Sequence, residues 1–406
     1  MHVHVQPGLW TNYRCILLRP IRRLLHILVR TATLKMNVAL GDDMDGFNGN
    51  ATDIPFEFID YTQRVIVATL ILIISVVGIL GNTMVHTAVL LSKKLRTATN
   101  AFVVNLAVAD LLTCLVIPWN AVALLGMDGL PVSEWFCKVA AIIQFTTVGC
   151  SIITLACIGL NRLLLITQPT ATYSMFYSPK KIAGWLILSW SIPLLTSLVP
   201  PLVDVGAVGY NKQFHFCGSK PSHPLYNSYN LIIAAVLYPI PLIIIFVSYG
   251  LIWIHLRRHA KKMNDFTKKH KKTITTVIHM MPSQSEDTNY SERGTLPPSS
   301  GTLSSPSRKR KRQTDITKNM LYVVCGFGIC STPYAVNLFF FDMGPTIPYT
   351  TVILLLNNCI NPLIYATKHR DFQTVFGCIL RRHWNEIPQP SDFLKAIRRT
   401  RCCETR

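Results

Sequence analysis

Seven apolar stretches set the terms for this chain, because each is about as long as a helix must be to cross a hydrocarbon core, roughly 20 residues. They cover residues 65–91, 100–125, 139–166, 182–202, 229–256, 316–341 and 347–367. Lipid offers backbone groups no hydrogen-bond partners, so segments of this length and composition cross as helices. The expected fold is therefore an all-α membrane protein, a seven-transmembrane helix bundle over residues 65–367. Residues 1–64 precede it and 368–406 follow. From 368 to 382 the pattern becomes basic and amphipathic, which predicts a short eighth helix. Charge content agrees with a membrane, since only 15% of residues are charged against roughly a quarter in soluble chains.

The formal charge of +20 could suggest nucleic acid, so the placement of the charges matters. The segments after stretches one, three, five and seven carry Lys93, Lys94 and Arg96, then Lys180 and Lys181, then two dense runs, then the basic tail. The alternate segments hold Asp128, Glu134, Asp204 and Asp342 against Lys212 and Lys220. By the positive-inside rule the basic segments are cytoplasmic, with the N-terminus outside and the C-terminus inside. The basicity then reflects topology and contact with anionic membrane lipids, nucleic acid is the weaker reading, and no nucleic-acid partner is expected.

Residues 1–35 conflict with an outer N-terminus, because they hold six Lys or Arg and no acid. Natural initiation at Met36 or Met44 would explain this. Asn50-Ala51-Thr52 is a glycosylation acceptor in the predicted outer segment. The third inner loop, about 257–315, contains Lys268-Lys269-His270-Lys271-Lys272 and Arg308-Lys309-Arg310-Lys311-Arg312 around a Ser/Pro/Gly stretch. Its middle lacks the apolar content to fold and is expected to be disordered. The clusters themselves suit anchoring of helix ends to the inner leaflet.

The last stretch closes with Asn361-Pro362-Leu363-Ile364-Tyr365. Further polar or helix-bending landmarks stand along the chain: Gly81-Asn82, Asn105-Leu106-Ala107-Val108-Ala109-Asp110, Trp190, Pro200, Pro241 and Tyr249. In their joint order and spacing these resemble the rhodopsin-like (class A) G-protein-coupled receptors, from about residue 65 to 382. The resemblance implies a plasma-membrane receptor that is not an enzyme and that passes an extracellular signal to heterotrimeric G proteins by outward movement of helix six. Arrestin is a further partner it implies. Within the family, Asn161-Arg162, Leu164-Leu165-Ile166, Pro169, Tyr177-Ser178 and Lys180 resemble the receptors moody and trapped-in-endoderm, the melatonin receptors and the medium-chain fatty-acid receptor.

Several residue roles follow from that resemblance. Cys137 and Cys217 both fall on the outer, oxidising side and match the family's disulfide; two free thiols are the alternative. Asp110, the only acid deep within a predicted span, is costly there without partners. With Ser151, Asn357 and Asn361 it resembles an allosteric sodium pocket; otherwise a protonated or water-bonded Asp110 ties helices together. No other cofactor is implied. Arg162 is expected to meet the G protein, yet Asn161 replaces the usual acid beside it, so the resting lock loses a charge-assisted bond roughly twice as strong as a neutral one. Asn161 could also bond adequately. Gln313 near helix six supplies no acid either.

Pro333 is expected to kink helix six, with Phe327 either a pivot or core packing, and Ser331 standing where an aromatic toggle is common. Tyr249, Asn361, Pro362 and Tyr365 complete the activation switch.

The helix-three position that holds an Asp in amine receptors is Gln144, and helix seven has no interior Lys for retinal. Gln144, Phe145, Val148, Tyr238, Tyr334, Leu338 and Thr351 are the expected pocket, suited to a small neutral or lipid-like ligand. Two other classes compete. A transporter would show repeated halves and broken mid-membrane helices, and a membrane-embedded hydrolase would need a catalytic cluster on facing helices. Neither pattern is apparent in the sequence.

Overall fold

The computed structural model describes residues 57–280, 306–340 and 345–396. Among them, seven helices are long and apolar enough to cross a membrane: Tyr61–Leu91, Ala98–Leu125, Glu134–Thr167, Pro179–Leu202, Tyr226–Arg258, Met320–Asn337 and Ile347–Lys368. These are spans one to seven. An amphipathic eighth helix, Arg370–Leu380, buries Phe372, Val375, Phe376 and Cys378.

Spans one to five begin two to five residues before the apolar pattern, because polar residues open their first turns. Asp60 caps span one, its carboxylate accepting from the Thr62 and Gln63 N–H groups at 2.9 and 3.3 Å. Breaks fall where proline removes a donor. Span two divides into Ala98–Val116 and Pro118–Leu125, and span five divides at Tyr238, between Tyr226–Leu237 and a helix that starts at Pro239. That helix continues to Met280, and the helix containing span six begins at Pro306. Both ends of the segment 257–315 are thus helical, while 281–305 lies outside the described residues.

Span three is the most buried of the seven and span four the least, so span three forms the axis of the bundle. Its lower half packs Ile152, Leu155 and Ile158 with Phe102 and Leu106 of span two, Ile245 of span five, Met320, Val323 and Phe327 of span six and Tyr365 of span seven. At the opposite end, Val67, Ile71, Ile117, Leu124, Ile347 and Leu355 form a second cluster. Leu72, Ile73, Ile187, Leu195, Phe246 and Ile329 project outward; in a bilayer these apolar side chains meet lipid rather than water.

Two short strands, β1 (Val208–Asn211) and β2 (Phe216–Ser219), pair antiparallel with Tyr210 opposite Cys217. A disulfide joins Cys217 to Cys137 in the first turn of span three, with Cα atoms 4.7 Å apart. In soluble proteins such a cross-link stabilises by about 2–4 kcal/mol. Here it also lays the hairpin across that end of the bundle.

Candidate ligand cavity and coupling site

Buried amides tie the spans together before any functional group is placed. Asn82 donates to the carbonyls of Gly78 and Asn358, both at 2.9 Å, and so links spans one and seven. Asn105 donates to Thr154 Oγ1 at 2.8 Å and Ser189 Oγ at 3.2 Å, and accepts from Trp190 Nε1 at 2.9 Å, joining spans two, three and four. Hydrogen bonds between membrane helices commonly contribute about 0.6–2 kcal/mol each.

Asp110 is fully buried. Ser151 Oγ donates to its Oδ1 at 3.1 Å, and Asn361 Nδ2 donates to its Oδ2 at 2.8 Å. The side-chain oxygens of Asn357 and Asn361 are buried without a hydrogen-bond partner. Carboxylate and amide oxygens are the ligand type that hard cations take. Among the described residues no group of three His, Cys, Asp or Glu side chains could hold a softer metal.

Ten and eleven residues beyond Ser151 on the same helix, Asn161 and Arg162 are both buried. Asn161 is fully engaged: its Oδ1 accepts from Thr99 Oγ1 at 2.8 Å and its Nδ2 donates to Tyr173 Oη at 3.0 Å. Neither bond involves Arg162, whose guanidinium lies within electrostatic reach of Tyr249 and Tyr173. Tyr249 and Tyr365 bring buried hydroxyls without hydrogen-bond partners to this end of the bundle. Tyr365 also stacks on Phe372 of the eighth helix, with centroids 5.4 Å apart. Phe327 is 2% exposed, inside the core. Beside Pro333, Ser331 Oγ donates to Phe327 O at 2.7 Å and Thr332 Oγ1 donates to Gly328 O at 2.6 Å. Such back-bonding bends helices.

At the disulfide end, a cavity of about 80 Å³ opens between spans three, five, six and seven. Gln144, Phe145, Val148, Tyr238, Tyr334 and Thr351 line it, and so do Asn230, Leu237 and Leu354. The Leu338 side chain and Asn50 lie outside the described residues. No acidic or basic residue is among the lining. Ligand sites commonly measure about 300–1,000 Å³, so a ligand of ordinary size has to displace side chains here. Gly149 lets spans come close at the cavity floor, because a Cβ there would sit 2.5 Å from Pro193 and 2.9 Å from Leu237.

A larger cleft of about 800 Å³ lies above, lined by Glu57, Glu134, Tyr210, Lys212 and Lys220, with Lys220 and Glu134 paired. Beside it, the Tyr210 hydroxyl meets His215 Nδ1 at 2.6 Å, and Glu57 lies 3.6 Å from His215 Nε2. Burial, aided by the Arg64 guanidinium, holds the His215 imidazole below its ordinary pKa, while Glu57 opposes.

Three structural residues escape the sequence reading. Arg64 donates from Nε to Leu124 O at 2.7 Å and from Nη2 to Gly126 O, satisfying the orphan carbonyls where span two ends. It stands one residue outside the first apolar stretch, so no intramembrane charge was visible. Thr99 resembles an ordinary helix-start threonine. Asn120 is fully buried beside Pro118, and a lone amide in an apolar run was the available signal.

Comparison with known proteins places these features. The pattern described as "7 transmembrane receptor (rhodopsin family)" matches residues 81–365. The chain is 25% identical over 344 residues to the G-protein coupled receptor moody of Drosophila melanogaster, covering 77% of this chain and 51% of that one, so it spans about half of that relative's length. It is 25% identical over 355 residues to the histamine H2 receptor of Cavia porcellus, covering 83% and 86%. Against the cholecystokinin receptor type A of Homo sapiens it is 26% identical over 339 residues, covering 75% and 78%. The crystal structure of squid rhodopsin shares the fold, with a TM-score of 0.63 at 20% identity over 86% of this chain and 95% of that one.

Proposed function

The chain belongs to the rhodopsin family of seven-transmembrane receptors, and on that premise we propose that it passes an extracellular signal to a heterotrimeric G protein at the plasma membrane. The N-terminus is then outside and the C-terminus inside, with the basic segments 93–96, 180–181 and 368–382 against the anionic leaflet. One observation carries the reading. Gln144, in the cavity wall, and Arg162, buried at the opposite end, stand on the same continuous helix, roughly 27 Å apart at 1.5 Å per residue. A ligand that moves spans five and six against this axis changes the cover over Arg162.

The hinge in this account is Pro333, with Phe327 as the packed pivot below it and Tyr249, Pro362 and Tyr365 closing the inner face. Outward movement of span six then exposes Arg162 to the G protein. Sodium is held, in this reading, by Asp110, Ser151, Asn357 and Asn361 in the resting form, and supplies a positive charge that offsets the buried carboxylate. An uncharged, largely apolar cavity suits a small neutral or lipid-like ligand. Arrestin is expected at the same inner face. The subgroup that includes moody, trapped-in-endoderm, melatonin and medium-chain fatty-acid receptors remains part of this proposal, supported by the similarity to moody.

The test is guanine-nucleotide exchange in membranes carrying the chain, run against a panel of G-protein classes with and without lipid extracts. Exchange above control membranes with at least one class, lost in Arg162→Ala at equal surface expression, is expected. No exchange with any class would contradict the proposal.

A further inference from the structure

The amide group of Gln144 has a determinable orientation, fixed from outside the cavity. The Cys217 backbone N–H can only donate, and it meets Asn120 Oδ1 at 2.8 Å. Asn120 therefore turns its carbonyl oxygen to Cys217 and its NH₂ the other way, where it donates to Gln144 Oε1 at 2.8 Å. Reversing either amide would set N–H against N–H. Asn120 is fully buried and cannot exchange these partners for water. The strand that supplies the first donor is itself pinned by the Cys137–Cys217 disulfide.

What remains is Gln144 Nε2, on a residue of the cavity wall. It makes no hydrogen bond among the described residues. The hydroxyls of Tyr238, Tyr334 and Thr351 in the same wall can rotate between donating and accepting. Gln144 cannot.

We propose that Asn120 and Gln144 form a two-amide relay that presents a fixed hydrogen-bond donor to the cavity. The ligand class is then an apolar molecule bearing an acceptor such as a carbonyl, favoured over a protonated amine of the same skeleton. This deepens the receptor reading and rests on the cavity being the ligand site. Asn120 does not itself line the cavity. It is a positioning residue, acting through Gln144.

The relay can be inverted without altering the wall. In Asn120→Asp the carboxylate accepts from both sides, from Cys217 N–H and from Gln144 Nε2, so the Gln144 oxygen turns into the cavity. The full-length chain in nanodiscs is to be challenged with matched pairs of a ketone and a primary ammonium on the same apolar skeletons of graded size, read by thermal stabilisation. Ketones are expected to bind about tenfold more tightly than their ammonium partners, the worth of one net hydrogen bond. Asn120→Asp reverses that order, and because its carboxylate alone would draw an ammonium, the uncharged Asn120→Leu, which frees the Gln144 amide to turn, is read beside it and is expected to erase the ketone preference. Gln144→Leu, which keeps an apolar wall, erases the difference and serves if Asn120→Asp does not fold. Ammonium preference in the parent, or a ketone preference indifferent to these variants, would overturn the relay alone. Stabilisation by no probe of either kind would contradict the cavity reading and this proposal with it.

Discussion

Asn161 and Arg162 are neighbours in sequence with different partners in space. The Asn161 amide is taken up by Thr99 and Tyr173, so the residue before Arg162 is an engaged amide and not an acid. Both hydroxyls can donate to an acid, so Asn161→Asp is expected to fold and to hold Arg162 by about 1–1.5 kcal/mol more, roughly tenfold toward rest. Basal nucleotide exchange should fall by that factor at equal surface expression; unchanged exchange would show that the resting state is held elsewhere. Asp110→Asn should remove any difference in thermal stability between sodium and a large organic cation, and a difference that survives would rule out the pocket. His215 gives a pH test. Its pKa is lowered on folding, chiefly by burial, so its contribution to stability is fully present above the ordinary histidine value and is lost as pH falls through that value toward the folded one. His215 also has φ 53°, a conformation that Asn tolerates. His215→Asn should therefore flatten the loss of thermal stability between neutral and mildly acidic pH; an unchanged slope would assign the titration to another group. At this scale the sequence revealed which residues were costly in a membrane, such as Asp110. It could not reveal Thr99 or Tyr173, because their shared partner Asn161 meets them only through the fold, 62 and 12 residues away along the chain.

At the scale of elements, the seven spans were legible because twenty apolar residues in a row have few other uses. Their ends were less so, since Asp60 and Glu134 begin helices with polar residues that hydropathy discards. The segment after the eighth helix was the least visible. It folds back as a strap on the corner between spans one and two: Ser92 Oγ donates to Pro388 O at 2.6 Å, Lys93 N to Gln389 O at 2.8 Å, and Ser391 N to Leu91 O at 2.9 Å. Lys93 pairs with Asp392 at 2.8 Å and Lys94 with Asp371 at 3.0 Å. An exposed pair such as Lys93–Asp392 contributes little, about 0–1 kcal/mol. The anchors are Ile387 and Leu394, 3% and 2% exposed, two apolar residues too widely spaced to announce an element. Leu394→Ala should cost about 2 kcal/mol or more, read as lost hydrogen-exchange protection at Lys93 and Ser391. Protection equal to the parent would mean that the polar contacts alone hold the strap.

For the whole molecule, the buried span three joins the two ends of the account, with an uncharged cavity at Gln144 and a buried cation at Arg162. The seven-span fold and the family were readable from composition and ordered landmarks. The cavity size and the relay through Asn120 were not, because they depend on how a hairpin held by Cys137–Cys217 settles on the bundle. The central claim is that span six swings away from span three to expose Arg162. Spin labels at Met175, 57% exposed in the helix after span three, and Leu321, 40% exposed near the start of span six, report that distance directly in a background lacking Cys15, Cys325, Cys402 and Cys403. On adding nucleotide-free G protein of a class that the chain activates, the distance distribution should lengthen by several ångströms, and should remain at its resting value in Arg162→Ala. An identical distribution with and without the G protein would contradict the account.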